Sequence, residues 1–400
     1  MKENASVPRR DTSGSAAAVP DAVDWTRRLV AIPSVNPSLE GGGGGEARIG
    51  REVAACLRQM GFHVQEQTVD GERRNVVARL GVGSPRLLLN GHLDTVGVDG
   101  MTVDPFGADS TPERIVGRGA ADMKSGLAVI LAAAGAYASD PGRGTLVVAL
   151  TCDEEHASVG MQRLVAQGLR ADAAVVTEPT ALAVMPAHKG FAWVEVEFRG
   201  RAAHGSRPDV GVDAIRHAAA FLQELDSLEV SLRAVDPHPL LGTGSLHAGT
   251  IHGGSAWSVY PERCVVTLER RTLPAEEPGS FLDEVQGALD RLAARDPSVD
   301  GVARLDLVRP GSDVPEDAPV VQALLAALEA EGMPRKVEGM TAWVDAAYLN
   351  EAGIPAVCFG PGSITRAHAA DEWVDAREVQ AAAAVLTAFV RRFLEAAPPR

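Results

Sequence analysis

Two histidines and five acidic residues of this chain stand where chemistry could be done. His92-Leu93-Asp94 puts an imidazole and a carboxylate on the same side of an extended segment, because alternate residues of a strand face one way. A carboxylate there can fix the imidazole's tautomer and raise its basicity, although a local hydrogen bond explains the pair equally well. Asp122 lies between the turns Gly117-Arg118-Gly119 and Ser125-Gly126; taken alone it reads as an acid opening a helix. Glu154-Glu155 are adjacent acids that must point in different directions, so one can bind a cation while the other holds a proton. Neighbouring negative charge in a partly closed cleft raises a carboxyl toward the range a general base needs. The competing reading is a pair of surface acids capping the helix after Ser158. Glu178, held by Pro179, and His368, following Gly360-Pro361-Gly362, complete the set. Two imidazoles with several carboxylates suit zinc, with cobalt or manganese as substitutes. Two divalent cations against Asp122, Glu155, Glu178 and one hydroxide sum to zero charge, as a partly buried site requires.

The elements that must position these groups are short apolar strands. Arg86–Asn90, Gly144–Thr151 and Ala173–Thr177 read as buried strands, each with a chemical residue just beyond its carboxyl end. Helical periods at Arg48–Met60, Leu127–Ala138 and Val159–Gln167 alternate with them, which predicts an α/β fold, a mixed sheet with helices on both faces. Ligands of such sheets sit beyond the carboxyl ends of the strands. Near Ala187 the pattern changes. Phe191–Phe198 alternates as a half-exposed strand, and helices at Gly211–Leu225 and Phe281–Ala294 join strands near Gly249–Gly253, Arg263–Arg270 and Arg304–Val308. This predicts a smaller α+β insertion, two helices on an antiparallel sheet, over 187–309. The catalytic domain then comprises 21–186 and 310–400. The latter part holds helices at Ala318–Glu331, Ala342–Glu351 and Ala376–Leu394 and a strand at Ala356–Phe359. Residues 1–20 read as a disordered tail, and Gly41–Gly45 as a mobile run too irregular to cradle a phosphate.

Composition excludes several classes. A net charge of −15 argues against nucleic-acid binding, which calls for a basic face. No stretch approaches the ~20 apolar residues of a membrane span, and no apolar leader is visible. The four cysteines, Cys56, Cys152, Cys264 and Cys358, form no CxxC pair, so a reducing, cytoplasmic setting is expected. Cys152 reads as a core residue. No Gly-x-Ser-x-Gly nucleophile turn is present, which speaks against a metal-free α/β hydrolase.

The chain resembles the family of zinc aminoacylases and exopeptidases that includes acetylornithine deacetylase, succinyl-diaminopimelate desuccinylase and glutamate carboxypeptidase. The matching stretches are Gly91-His92-Leu93-Asp94-Thr95, Gly117 through Lys124, Asp153-Glu154-Glu155, Glu178-Pro179-Thr180, Ala203-His204-Gly205-Ser206 and Ala367-His368 through Glu372, in the family's order. The resemblance implies that His92, Asp122 and Glu178 hold one Zn²⁺ and that Asp122, Glu155 and His368 hold a second, with Asp122 bridging. Asp94 would orient His92, and Glu154 would move the proton from the attacking water to the leaving amine. A cis peptide is expected at Asp122–Met123. His204 would stabilise the oxyanion in the partner subunit of a homodimer formed through the insertion, though a lone loop histidine also reads as a solvated turn. Arg271 would grip a substrate carboxylate, against the plain reading of a strand arginine beside Arg270, and Ser258 and Gly362 would lie on the substrate side.

One departure concerns the substrate. Relatives often carry Asn where this chain has Ser258, and Trp257 and Tyr260 flank it, so the acyl or side-chain end of the pocket is expected to be reshaped. Trp343 could line the same pocket or belong to the core. The resulting expectation is an amidohydrolase acting on an N-acyl amino acid. A dipeptidase or carboxypeptidase of the same family is the alternative. A non-catalytic dimeric binding protein on this fold is disfavoured because Glu154 and the full ligand set are intact.

Overall fold

The computed structural model describes residues 20–40 and 44–395. The expected tail therefore falls, but for Pro20, outside the described residues, as do 41–43 of the glycine run. The chain divides into two units. The first holds the described residues up to Gly160, Thr177–Pro179 and those from Gly360 on; the second holds Met161–Val176 and Thr180–Phe359. No helix among the described residues is long and apolar enough to cross a membrane.

In the first unit a hairpin, His63–Asp70 with Arg73–Gly81, runs antiparallel to Thr145–Thr151, which is itself parallel to Arg86–His92. The sheet is mixed, and its two central strands are apolar on both sides. Thr145–Thr151 is buried at every position. The strand expected to end at Asn90 continues through His92, paired with Thr151, and so delivers the imidazole itself at the strand end. Helix Ser125–Ser139 has no polar face: every residue from Ser125 to Tyr137 is buried, as a helix apolar all round must be. It lies among the helices Ala22–Val30, Ala47–Gln59 and Ala376–Glu395 and the strands behind it. Its first turn passes so close to Thr177 that a Cβ on Gly126 would sit 2.1 Å from the Thr177 carbonyl oxygen. A short antiparallel pair, Arg114–Val116 with Trp373–Asp375, has no counterpart in the sequence reading, because three-residue strands carry no measurable period.

In the second unit, Ala173–Val176 pairs parallel with Ala356–Cys358, and Val184–His188 takes Ser312–Asp313 antiparallel and Val337–Met340 parallel. Gly190–Arg309 builds a four-stranded antiparallel sheet in the order 300–309, 190–199, 263–272, 245–253. Ala192, Val194, Val196 and Phe198 point into a core shared with Phe221, Leu225, Phe281 and Leu289 of its two helices. Trp193, Glu195 and Glu197 face the other way, as their alternation requires. The first of these helices spans Ala214–Arg233. It starts where the Asp213 side chain accepts the Arg216 N–H at 3.0 Å, and it outruns the expected end at Leu225 because Asp226, Ser227, Glu229 and Ser231 interrupt its apolar residues. The other correction is at Ala342: the helix there spans only Ala346–Glu351, so Trp343 lies before it. Its indole nitrogen donates to the Pro310 carbonyl, and its ring meets Phe191 and Tyr348 edge-on.

Candidate metal centre

Five side chains from five separate segments of the first unit converge. His92 ends a strand, Glu155 follows the strand Thr145–Thr151, Glu178 follows Ala173–Val176, and Asp122 and His368 come from loops. His92, Asp122 and Glu178 each offer a ligand atom within 4.8 Å of the others, and so do Asp122, Glu155 and His368. Asp122 belongs to both groups and divides its oxygens between them. Its Oδ1 lies 3.0 Å from His92 Nε2, and its Oδ2 lies 3.5 Å from His368 Nε2. His368 Nε2 also stands 3.0 Å from Glu155 Oε2. The helix-capping reading of Asp122 is thereby replaced: its backbone is non-helical, helix Ser125–Ser139 begins after it, and its carboxylate is turned to the imidazoles.

The turn that presents Asp122 is held from far away. Gly119 enters it at φ +80, a conformation glycine adopts freely, and the Asp122–Met123 peptide is cis. Glu372, buried at 1% exposure, accepts the N–H groups of Ala121 and Asp122 on Oε1 and that of Gly119 on Oε2, where Arg118 also donates at 2.7 Å. The Trp373–Asp375 strand pairing brings it there. Glu372→Ala takes the acceptor from three N–H groups and leaves the buried Arg118 guanidinium, still bonded to the Gly97 carbonyl, without its carboxylate; it is expected to destabilise the metal-free protein by roughly 3–5 kcal/mol in denaturant unfolding. A loss under about 1 kcal/mol would show that the turn holds itself. Lys124, also buried, donates to the Ile32 carbonyl at 2.8 Å; burial pushes its ammonium down to about 7 against the opposing charge of Glu372.

Charge in the cluster is set by burial and by neighbours. Burial works to discharge His92, yet the hydrogen bond to Asp122 and the charges of Glu154, Glu178 and Asp122 hold it well above its ordinary range. Burial likewise pushes the Asp122 carboxyl up, but the hydrogen bond from His92 and the charges of His92, His368 and Arg118 together keep it below the usual value. Glu155 is raised by burial and by the charge of Asp122. His368, whose side chain is 51% exposed, is raised to about 9, first by its hydrogen bond to Glu155. The donor set fits divalent metal ions. Buried acids accumulate here around imidazoles, and buried charge is tolerated where it is paired or coordinates a cation. His92 also keeps one ring nitrogen, Nδ1, on a protein acceptor while Nε2 faces the acids.

That acceptor is the Asp94 backbone carbonyl at 2.9 Å, whereas the Asp94 carboxylate stands 3.7 Å from the ring. The Asp94 carboxylate instead accepts the N–H groups of Glu154 and Glu155, both at 3.2 Å, and an Asn36 amide hydrogen at 2.8 Å. It therefore orients the acid loop at least as much as the histidine. Glu154 is half-buried and contributes to the charge that His92 feels. Cys152 is a core residue, its thiol pushed up by burial. The Gly362 N–H is already committed to Glu378 at 2.9 Å, and Gly362 lies against Ala121, so it closes on the Asp122 turn.

His204, Ser258 and Arg271 belong to the second unit. His204 Nδ1 accepts the Ser206 N–H at 3.2 Å, which leaves the ring proton on Nε2. The Ser258 carbonyl accepts the Gly205 N–H at 2.7 Å, so the two loops form one exposed tip that also carries Trp257. Arg271 donates from Nε to Glu269 at 2.7 Å, and its guanidinium lies over the Phe191 ring.

Residues 88–392 match the peptidase family M20/M25/M40. The acetylornithine deacetylase of Myxococcus xanthus is 33% identical over 353 residues, 85% of this chain and 90% of that protein. A tripeptidase structure from Staphylococcus aureus matches with a TM-score of 0.77 at 20% identity, covering 95% of this chain and 100% of that one. A dinuclear metal-binding peptidase from Bacillus subtilis matches with a TM-score of 0.70 at 16% identity, covering 94% and 98%. At these identities the two structures share the fold.

Proposed function

Since this chain belongs to peptidase family M20/M25/M40, hydrolases of amide and peptide bonds, we propose that it is a two-zinc amidohydrolase that removes the acyl group of an N-acyl amino acid. The observation that carries this is the pair of ligand groups sharing Asp122, with Glu154 beside them. The deacylase form is favoured over a peptidase because the curated relative at 33% identity is an acetylornithine deacetylase. His92, Asp122 and Glu178 would hold one ion; Asp122, Glu155 and His368 the other. When bound, such ions would polarise the amide carbonyl and acidify the attacking water. Glu154 takes the proton as the water oxygen joins the acyl carbon, and passes it to the amine nitrogen as the C–N bond breaks. A free carboxylic acid and a free amine leave. Arg271, its Nε fixed by Glu269, offers its terminal edge to the carboxylate of the amino acid. Four buried free thiols suit a reducing compartment such as the cytoplasm.

The insertion at 187–309 is the proposed dimerisation domain. Its edge strand Ser245–Gly253 is exposed along nearly its whole length, and Ile251, Ile215 and Trp257 are exposed apolar residues of this domain. Such an edge invites pairing with a second copy. His204, its ring proton on Nε2, then donates to the developing oxyanion in the partner's site. His204→Ala is expected to lower kcat about 10²–10³-fold with metal content unchanged. Mixed dimers of His204→Ala and Glu154→Ala subunits should regain one working site; no recovery would place the histidine in its own subunit.

The function itself is tested by dialysis against a chelator, then addition of zinc or cobalt, across a panel of N-acetyl amino acids, N-succinyl amino acids and dipeptides. Activity should vanish and return, with kcat/KM for an acyl amino acid at least about tenfold above that for any dipeptide. Turnover by protein shown to be free of metal rules the proposal out, and a preference for dipeptides makes the protein a peptidase.

A further inference from the structure

The geometry assigns a role to Arg73, which lies at the start of the strand Arg73–Gly81 and which no motif singles out. We infer that it is a positioning residue for Glu154 and Glu155, acting through the buried carboxylate of Asp153; this rests on the reading above, in which those acids serve as base and ligand. The Arg73 side chain is only 14% exposed, and its guanidinium forks between two acids buried more deeply still. NH1 donates to Asp153 Oδ1 at 2.7 Å, while Nε and NH2 both donate to Glu46 Oε1. Asp153 Oδ1 also accepts from the Asn36 amide nitrogen at 3.0 Å, and the same nitrogen donates to Asp94 Oδ2 at 2.8 Å. The Asp94 carboxylate in turn accepts the N–H groups of Glu154 and Glu155. Hydrogen bonds thus run from Arg73 through Asp153, Asn36 and Asp94 to the backbone N–H groups of the two functional acids, which the chain itself joins back to Asp153.

Asp153 itself needs such a restraint. Its φ is +71, in the left-handed region that residues with a Cβ rarely occupy. That twist decides where the two side chains after it point. Without the guanidinium, the buried Asp153 carboxylate faces the Asp94 carboxylate across one shared amide, and the relief is rotation outward, which turns the whole 153–155 segment. Glu155 would leave Asp122 and His368. His92 and Glu178, which stand on other strand ends, would stay in place. The consequence is asymmetric, and a general loss of stability would not produce it. Lysine, with one nitrogen in place of a planar fork, cannot serve both acids in the same way.

The test is calorimetric titration of Co²⁺ into the metal-free wild type, Arg73→Ala and Arg73→Lys, alongside kcat. Arg73→Ala should bind one ion within about threefold of the wild-type affinity and the other 10–100-fold more weakly, with kcat lowered in step. Ethylguanidinium should restore both, entering through the surface pocket of about 170 Å³ that Glu46, Glu72 and Arg73 line; Arg73→Lys should fall between. Unchanged affinities, two affinities falling together, or no restoration by ethylguanidinium would each overturn the assignment. If Arg73→Ala does not fold, Arg73→Lys and Asp153→Asn carry the same asymmetric readout. A wild type that takes up fewer than two ions refutes the parent reading, and this inference with it, however the variants behave.

Discussion

Asp122→Ala is expected to strip the protein of both metal ions together and to reduce turnover to background. The reason is the division of its oxygens, Oδ1 toward His92 and Oδ2 toward His368. Each ligand group loses one of its three members with the same substitution. The imidazoles also lose the carboxylate that lies between them, so whatever cation enters must offset a changed balance of charge at two places. Metal analysis after exhaustive dialysis reads the result directly. Loss of a single ion would show that the two groups are independent and that Asp122 is not where they join.

Glu154→Ala should do the opposite: keep both ions and lose the chemistry. Glu154 belongs to neither ligand group, yet its charge is felt by His92 and its backbone N–H is held by Asp94. A proton carrier removed from an otherwise intact site typically costs about 10²–10⁴-fold in rate. The expected outcome is a kcat lower by that factor, unchanged metal content and a KM within a few-fold of the wild type. An active variant, or one that has shed an ion, removes Glu154 from the role of base.

The placement of three candidate ligands was legible because strands announce their ends. His92, Glu155 and Glu178 each follow an apolar run short enough to be a buried strand, and polar residues just past such runs fall together at one sheet edge. Asp122 was legible as a residue of interest, but the two-sided role proposed for it came from the resemblance and not from spacing. What escaped was support that depends on distant partners. Glu372 matters through hydrogen bonds to residues 250 to 254 positions away, delivered by a strand of three residues. Asn36 and Arg73 look ordinary in the sequence, and no period or composition marks a residue whose importance lies in which carboxylate it touches. Asp94 shows the reverse case. The pairing with His92 was visible, yet its carboxylate turned out to face the acid loop, because the Asp94 backbone carbonyl already occupies Nδ1. The change of period near Ala187 marked the antiparallel sheet within 190–309, though the end of its long helix was missed because Asp226, Ser227, Glu229 and Ser231 interrupt the apolar residues.

The clasp of Glu372 on the Asp122 turn also orders events in time. On the ribosome, Asp122 emerges long before residue 372 has been added. Until then the N–H groups of Gly119, Ala121 and Asp122 have no carboxylate to gather them, and His368 is missing from its ligand group. A half-made chain therefore displays its acids without the shape that would let them seize a cation. In the reading proposed above, the second ligand group is complete, and the Asp122 turn clasped, only once residues 368 and 372 are in place.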